Sequence, residues 1–227
     1  MKNNFLYIFC IIFNSILLAS NFSIKDKNLL NSTIELNLEN FEIERKDDFD
    51  IIVSNSEGKT QNIGEPELPT YTFNYGVDYD KNYSVELVLN DYTLYEDINL
   101  HPSQPYYKPD DNKIFVKNHN AYNSNQLYPQ TNININRVSL RGYELLNIEV
   151  IPYEYNPSTK ELKVFHNPEI IISESGMRSS GDRTPRSEIF ESMYKNYILN
   201  SDDYEDSRSF QKPSILYICG GNLATSS

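Results

Sequence analysis

The sequence has 227 residues, and its 32 acidic side chains outnumber its 20 lysines and arginines, which gives a formal net charge of −12 at pH 7. This charge opposes binding to nucleic acid and to anionic membrane surfaces, because both are themselves negatively charged. The chain has no tryptophan, but its 18 tyrosines and 11 phenylalanines supply enough apolar area for the core of one domain.

The first 20 residues have the pattern of a secretory signal peptide. Lys2 precedes an apolar stretch from Phe5 to Leu18, and the small residues Ala19 and Ser20 follow it. The stretch is too short to span a bilayer, which takes roughly 20 apolar residues. We therefore expect export through a cleavable signal peptide, residues 1–20, to a secreted, extracellular or cell-surface location, with no membrane contact after cleavage.

Only one cysteine, Cys219, lies outside this segment, since Cys10 is part of its apolar stretch. No disulfide is expected within the exported chain, so the domain depends on its core for stability. Cys219 has no neighbouring pattern of a nucleophile, and we expect it to be a packing residue.

From residue 33 to residue 175 the sequence alternates between apolar and polar residues in short runs, separated by Asn, Asp, Pro and Gly. This period of two is typical of β-strands with one face in the core and one in water. The clearest runs place apolar residues at Ile34, Leu36 and Leu38, at Tyr71, Phe73 and Tyr75, and at Tyr83, Val85, Leu87 and Leu89. Since no helical pattern precedes residue 184, the sequence predicts an all-β fold for residues 33–175, an antiparallel β-sandwich or jelly roll.

The segment "LLNIEVIPYEYNPSTKELKVFHNPEIIIS" gives the strongest local prediction. Two β-rich runs flank the turn-forming residues Asn156–Lys160, which predicts a hairpin. Pro152 and Pro168 cannot donate a backbone hydrogen bond, so we expect them at strand ends, edges or bulges.

The composition changes at "SGMRSSGDRTPRSE", which predicts a polar linker over residues 176–184. The next segment predicts one C-terminal helix over residues 185–199, with Thr184 as its N-cap and Pro185 in its first turn. Its apolar stripe consists of Ile189, Phe190, Met193, Tyr194, Tyr197 and Ile198.

Residues 201–211 are acidic and predict an exposed junction, and an apolar run from Ile215 to Cys219 comes after it. Gly220 and Gly221 close this run, which is the pattern of a buried strand that opens an α/β domain. The glycine pair is too short to match a phosphate-binding fingerprint.

No residues form a recognisable catalytic or metal-binding pattern. His101, His119 and His166 each lack a second ligand at zinc spacing, so no metal or other cofactor is predicted. Two acidic clusters, Asp110–Asp111 and Asp202–Asp206, are either weak calcium sites or solvated loops.

Three stretches, in this order along the chain, resemble one family. They are "GEPELPTYTFNY" (Gly64–Tyr75), "RGYELLNIEVIPYEYNPSTKELKVFHNPEIIIS" (Arg141–Ser173) and "FESMYKNYILN" (Phe190–Asn200) with the following "KPSILYICGGN". Together they resemble the N-terminal propeptide of the gingipain-type cysteine endopeptidases, over most of residues 34–222. The resemblance implies that residues 21–200 form the propeptide and residues 212–227 the first strand of the catalytic domain.

This resemblance implies a β-sandwich prodomain that helps its enzyme to fold, keeps it latent during export and is removed by proteolysis. The implied partner is the cognate cysteine protease domain, which has a caspase-like α/β fold in that family. The catalytic His and Cys of the family are expected downstream of residue 227, and Cys219 does not match the catalytic cysteine. This chain is therefore expected to carry no catalytic residues.

The resemblance also implies a basic residue on a loop between prodomain strands, which enters the specificity pocket of the enzyme. By position the loop is "HPSQPYYKPDDNK" and the residue is Lys108. Pro109 makes the bond after Lys108 a poor substrate, which suits an inhibitor. A surface lysine in a proline-rich turn is the alternative interpretation. For Arg141 with Gly142, a second basic site, we expect a structural bend where a strand begins.

Release requires an exposed, flexible bond. Arg208 lies in the acidic junction, where the resemblance places the boundary of the enzyme. Arg178, Arg183 and Arg186 lie in or beside the earlier linker and are candidates for secondary cleavage.

Two other functions remain open at this point. One is a free-standing exported β-sandwich that binds a glycan or a surface protein. The other is a stand-alone protease inhibitor that uses the same loop in trans.

Overall fold

The computed structural model describes residues 21–38, 41–110, 112–140, 142–179, 186–187, 191–202 and 210–211. The predicted signal peptide, Thr184 with Pro185, and the predicted strand from Ile215 to Cys219 lie outside these residues. No helix within the described ranges is long and apolar enough to cross a membrane.

The described residues form short strands and two short helices. The strands are β1 (Phe22–Lys27), β2 (Asn31–Leu36), β3 (Glu42–Lys46), β4 (Phe49–Val53), β5 (Gly58–Lys59), β6 (Pro69–Gly76), β7 (Lys81–Val88), β8 (Tyr92–Tyr95), β9 (Ile133–Leu140), β10 (Tyr143–Val150), β11 (Tyr153–Asn156), β12 (Glu161–Phe165), β13 (Glu169–Met177), β14 (Arg186–Ser187) and β15 (Phe210–Gln211). The helices are α1 (His119–Tyr122) and α2 (Glu191–Lys195).

Two four-stranded sheets form the body of the fold. The first sheet has the order β1-β2-β13-β7 and the second β5-β6-β10-β9, and every pairing within them is antiparallel. Smaller sheets flank them, β11-β12-β8 and the hairpin β3-β4. The predicted antiparallel β-sandwich is therefore confirmed.

The main core lies between the two sheets, because alternate residues of each strand point inward. Ile34 and Ile170 of the first sheet and Ile148 of the second are fully buried in one cluster. The rings of Phe22 and Phe73 meet across the sheets with centroids 4.4 Å apart. The predicted alternation thus decides which face of each strand the core takes.

Tyrosines replace tryptophan in this core and keep their hydroxyl groups satisfied. The Tyr75 hydroxyl lies 2.6 Å from the Ser32 hydroxyl, and the Tyr71 hydroxyl lies 3.3 Å from that of Tyr153. The Tyr155 hydroxyl donates to the carbonyl oxygen of Ile98 at 2.9 Å. Burial raises the pKa of Tyr155 to about 12 and raises the pKa of Tyr153 further.

The hairpin predicted around Asn156–Lys160 is confirmed, since β11 and β12 pair antiparallel on either side of it. Lys160 adopts a φ of 57° at the end of the turn. Pro152 lies between β10 and β11, and Pro168 lies directly before β13, so both prolines occur at strand ends as predicted.

Two predictions about helices are wrong. α1 precedes residue 184, where no helix was predicted, and its single turn is too short to produce a periodic pattern. Its N-terminus is capped by Asn118, whose side-chain oxygen accepts from the N–H groups of Asn120 and Ala121 at 3.1 and 3.3 Å.

The C-terminal helix, predicted over residues 185–199, is shorter in the described residues. Arg186–Ser187 form β14, which pairs parallel with β15, and α2 ends at Lys195. Beyond it the N–H groups of Tyr197 and Ile198 bond to carbonyls three residues earlier, at 2.9 and 3.4 Å. The chain therefore continues in tighter turns rather than as an α-helix.

Candidate functional site

The loop that carries Lys108 belongs to the long connection between β8 and β9, and its projecting part runs from Gln104 to Val116. Its two ends are joined by the Gln104 side chain. Gln104 Nε2 donates to the carbonyl oxygen of Val116 at 2.7 Å, and Gln104 Oε1 accepts from the Val116 N–H at 2.8 Å. The side-chain amide thus takes the place of a paired strand residue and closes the neck of the loop. We call residues 104–116 the clamped loop.

The residues on both sides of the clamped loop bond to the segment that begins "GEPELP". The Gly64 N–H donates to the carbonyl oxygen of Ser103 at 2.7 Å, and the Ser103 N–H donates to that of Glu65 at 2.8 Å. On the other side, the Asn118 N–H donates to the carbonyl oxygen of Gly64 at 2.8 Å. Gly64 has a φ of +84°, and a Cβ atom there would lie 3.0 Å from the Asn118 nitrogen. This position therefore requires glycine.

Aromatic rings support the loop from below. The Phe49 ring lies 5.5 Å from the His101 ring and 5.4 Å from the Phe115 ring, centroid to centroid. The Lys117 ammonium group lies 5.0 Å from the Phe49 ring centroid and 4.2 Å from that of Tyr122. Desolvation lowers the pKa of His101, so its imidazole is neutral at pH 7. The base of the loop is thus a packed aromatic cluster.

The outer part of the clamped loop is exposed. Lys108 and Pro109 lie at its tip, next to Tyr106, whose exposed fraction is 90%. Ile114 is 67% exposed on the returning arm. The Tyr107 hydroxyl donates to the Ile114 carbonyl oxygen at 2.7 Å and joins the two arms. A basic tip beside exposed apolar side chains is typical of a surface that contacts another protein.

The sequence model of the Propeptide_C25 family matches residues 32–210. The chain belongs to this propeptide family. The match spans both sheets, the clamped loop and the C-terminal helix. It confirms the gingipain-type propeptide that the sequence motifs predicted.

Solved structures share the fold of this propeptide. One is the complex of the RgpB pro- and mature domains from Porphyromonas gingivalis, with a TM-score of 0.71, 18% identity, and coverage of 81% of this chain and 98% of that chain. Another, on the zymogenic latency of gingipain K from the same organism, has a TM-score of 0.59, 19% identity, and coverage of 69% and 93%. No curated protein matches the sequence. At these identities the likeness concerns the fold.

The candidate processing sites of the propeptide lie in different surroundings. Arg178 directly follows β13, and its Nη1 lies 3.5 Å from Glu144 Oε2. The backbone of Arg186 belongs to β14. Arg183 and Arg208 lie outside the described residues, so cleavage at all four arginines stays a prediction.

The second basic candidate, Arg141, also lies outside the described residues, but the glycine after it is described. Gly142 has a φ of +86° and directly precedes β10. Since β9 and β10 pair antiparallel on either side, Gly142 forms the bend predicted there.

The described part of the propeptide contains no cluster of three His, Cys, Asp or Glu side chains that could hold a metal ion. Asp110 is exposed beside the loop tip, whereas Asp111 and residues 203–206 lie outside the described ranges. Calcium binding by the acidic clusters stays a prediction.

Sequence reasoning missed a buried charged cluster behind the second sheet. The Glu144 side chain is 3% exposed, and its Oε2 accepts from Arg137 Nε at 2.9 Å. Arg137 also donates to the carbonyl oxygens of Lys81 and Asp78, at 2.9 and 2.7 Å. With Arg178, this cluster joins the β6–β7 turn, the β9–β10 hairpin and the end of β13. The one signal in the sequence is Glu144 itself, an acid between Tyr143 and Leu145 in an apolar run.

Proposed function

We propose that this propeptide is an intramolecular inhibitor and folding aid of a gingipain-type cysteine protease domain, and that proteolysis removes it. One observation carries the proposal: Lys108 lies at the exposed tip of a loop whose neck is closed by Gln104. The proposal includes export through the predicted signal peptide, and a partner domain with the caspase-like fold of that family.

The proposal draws its partner from the comparisons. The RgpB structure is a complex of a pro- and a mature domain, and the gingipain K structure is described as one of zymogenic latency. We infer that the present propeptide binds a cysteine protease domain in the same general manner.

The geometry of the clamped loop suits inhibition. An inhibitory loop must fill a specificity pocket without being turned over, and a loop that is already ordered loses less conformational entropy on binding. The ammonium group of Lys108 would enter an acidic pocket, while Tyr106, Ile114 and Phe115 would contact its rim. Because Pro109 lacks a backbone N–H and fixes its own φ, the bond after Lys108 resists hydrolysis.

The test is inhibition in trans. The chain from residue 21 onward is titrated against the mature RgpB and gingipain K domains, and the inhibition constants are measured. We expect Lys108→Ala to raise the inhibition constant by about 100-fold, because loss of a central charged contact costs about 2–5 kcal/mol.

Lys113→Ala is the matched control, because Lys113 is an exposed lysine on the same loop. We expect it to change inhibition less than about threefold. Equal inhibition by wild type and Lys108→Ala would refute the role of Lys108. No inhibition of either enzyme by the wild type would count against the inhibitor itself.

A polar cleft supports a second candidate function, glycan binding by a free-standing module. The cleft has a volume of about 840 Å³ and is lined by amide side chains that include Gln61, Asn62, Gln126 and Gln130, beside Tyr128. Amides and an aromatic ring are suited to sugar hydroxyl groups and sugar faces. Calorimetric titration with soluble oligosaccharides tests it, and the absence of saturable heat would contradict it.

A further inference from the structure

The C-terminal segment, residues 191–202, lies on the outer face of the second sheet, away from the main core. We propose that this face is a binding surface that retains the C-terminal segment after the chain is cut in the linker between residues 179 and 190. The setting rests on the proposed removal by proteolysis, but the binding itself does not.

Asn200 provides the polar anchor. Its Oδ1 accepts from the Gly76 N–H at 2.7 Å, and its Nδ2 donates to the Gly76 carbonyl oxygen at 3.0 Å. The Leu199 N–H donates to the carbonyl oxygen of Asn74 at 2.9 Å. Asn200 is only 5% exposed, so these bonds are shielded from water. The end of the segment therefore pairs with the end of β6 almost as an added strand does.

Apolar contacts provide the second anchor. Tyr194 and Ile198 of the segment form a separate small core with Tyr143 and Leu145 of β10. The rings of Tyr143 and Tyr194 lie 5.1 Å apart, centroid to centroid. The Tyr143 hydroxyl donates to the Glu191 carboxylate. Because β10 also faces the main core, this strand is covered on both of its faces.

The start of the linker is held on the same body. β13 pairs with β7 as far as Met177, which lies opposite Lys81. Beyond it, the Arg178 N–H donates to the carbonyl oxygen of Asp80, and its guanidinium faces Glu144. Both ends of the linker are thus attached to the sandwich by contacts that do not depend on the chain running between them.

A single cut in the linker therefore nicks the propeptide without releasing the residues C-terminal to the cut. Cleavage after Arg183 or Arg186 leaves the C-terminal segment on the sheet, and everything C-terminal to the segment stays attached. Separation requires a second cut beyond residue 202, for which Arg208 is the candidate. The contacts of the segment thereby assign different consequences to the candidate processing sites.

The experiment uses the full chain with residues 180–185 replaced by the recognition sequence of a site-specific protease. After complete cutting, the two pieces are separated by size-exclusion chromatography at micromolar concentration and identified by mass spectrometry. We expect them to co-elute. Separate elution of the wild-type pieces would overturn the proposal.

Asn200→Asp tests the anchor, because it keeps the shape and the acceptor but removes the donor to Gly76. We expect retention to weaken about tenfold or more, since a buried carbonyl loses its partner. Asp202→Asn is the matched control at an exposed position of the same segment, and it should retain the piece as the wild type does. Equal retention by Asn200→Asp and the control would refute the anchor.

Tyr194→Ala provides an independent variant that removes the ring contact with Tyr143, and circular dichroism of the uncut chains verifies folding. We expect this variant to lose the piece as well, and full retention would refute the apolar anchor. No protease partner takes part in the association. A propeptide that fails to inhibit but keeps its cut segment would therefore refute the proposed function and leave this inference standing.

Discussion

Removal of the Gln104 side chain tests whether the clamped loop inhibits because it is ordered beforehand. Gln104→Ala removes both side-chain hydrogen bonds to Val116, at 2.7 and 2.8 Å. Each such bond contributes about 1 kcal/mol net, so opening the neck becomes easier by about 2 kcal/mol. If the protease binds only the closed loop, inhibition should weaken by up to about 30-fold. The free energy of unfolding should change much less, because the neck lies outside the main core.

Two measurements apply to the same variant. Hydrogen exchange reports the Val116 amide, which should exchange about 30-fold faster in Gln104→Ala, and titration against the protease reports the inhibition constant. Gln130→Ala is the control, since Gln130 is an exposed glutamine in the same connection between β8 and β9. Unchanged exchange at Val116 would show that the clamp does not hold the neck. Faster exchange with unchanged inhibition would refute the link between loop order and inhibition.

Two further predictions concern stability. Glu144→Gln removes the buried charge that faces Arg137 and Arg178, so we expect the free energy of unfolding to fall by about 1–3 kcal/mol and trypsin to cut faster after Arg178; Glu149→Gln in the same strand is the control, and equal cleavage rates would contradict the reasoning. Burial raises the pKa of Tyr155 to about 12, above the usual value of about 10, so its stabilising contribution is complete below pH 10 and is lost as the pH rises towards 12, by about 1.4 kcal/mol per pH unit. Urea unfolding at a series of alkaline pH values measures this loss, and a Tyr155→Phe variant with the same pH slope as the wild type would argue against it.

The sequence predicted the strands well where the local pattern and the tertiary environment agree. Tyr71, Phe73 and Tyr75 alternate with polar residues and are buried in β6, and the turn around Asn156–Lys160 needed no information beyond its own residues. The C-terminal helix was predicted too long, because its apolar stripe continues through Ile198 while the backbone tightens after Lys195.

Parts of the candidate site could not be predicted, because their partners are distant in sequence. Gln104 looks like any polar loop residue until the fold places Val116 beside it. The same holds for Asn200, whose partner Gly76 lies in β6. Such contacts follow from the topology of the sheets, and a single sequence does not show them through periodicity. Lys108 was placed by resemblance alone, and its exposure at the loop tip is what the structure adds.

The tyrosine core has a practical consequence for spectroscopy. Because the chain contains no tryptophan, its ultraviolet emission comes from tyrosine alone. Tyr71, Tyr153 and Tyr155 are almost fully buried in the main core, so their emission reports the packing of the two sheets directly. A tryptophan-containing protease would accept excitation energy from nearby tyrosines of the propeptide. Association and release are therefore observable in real time without any label on either protein.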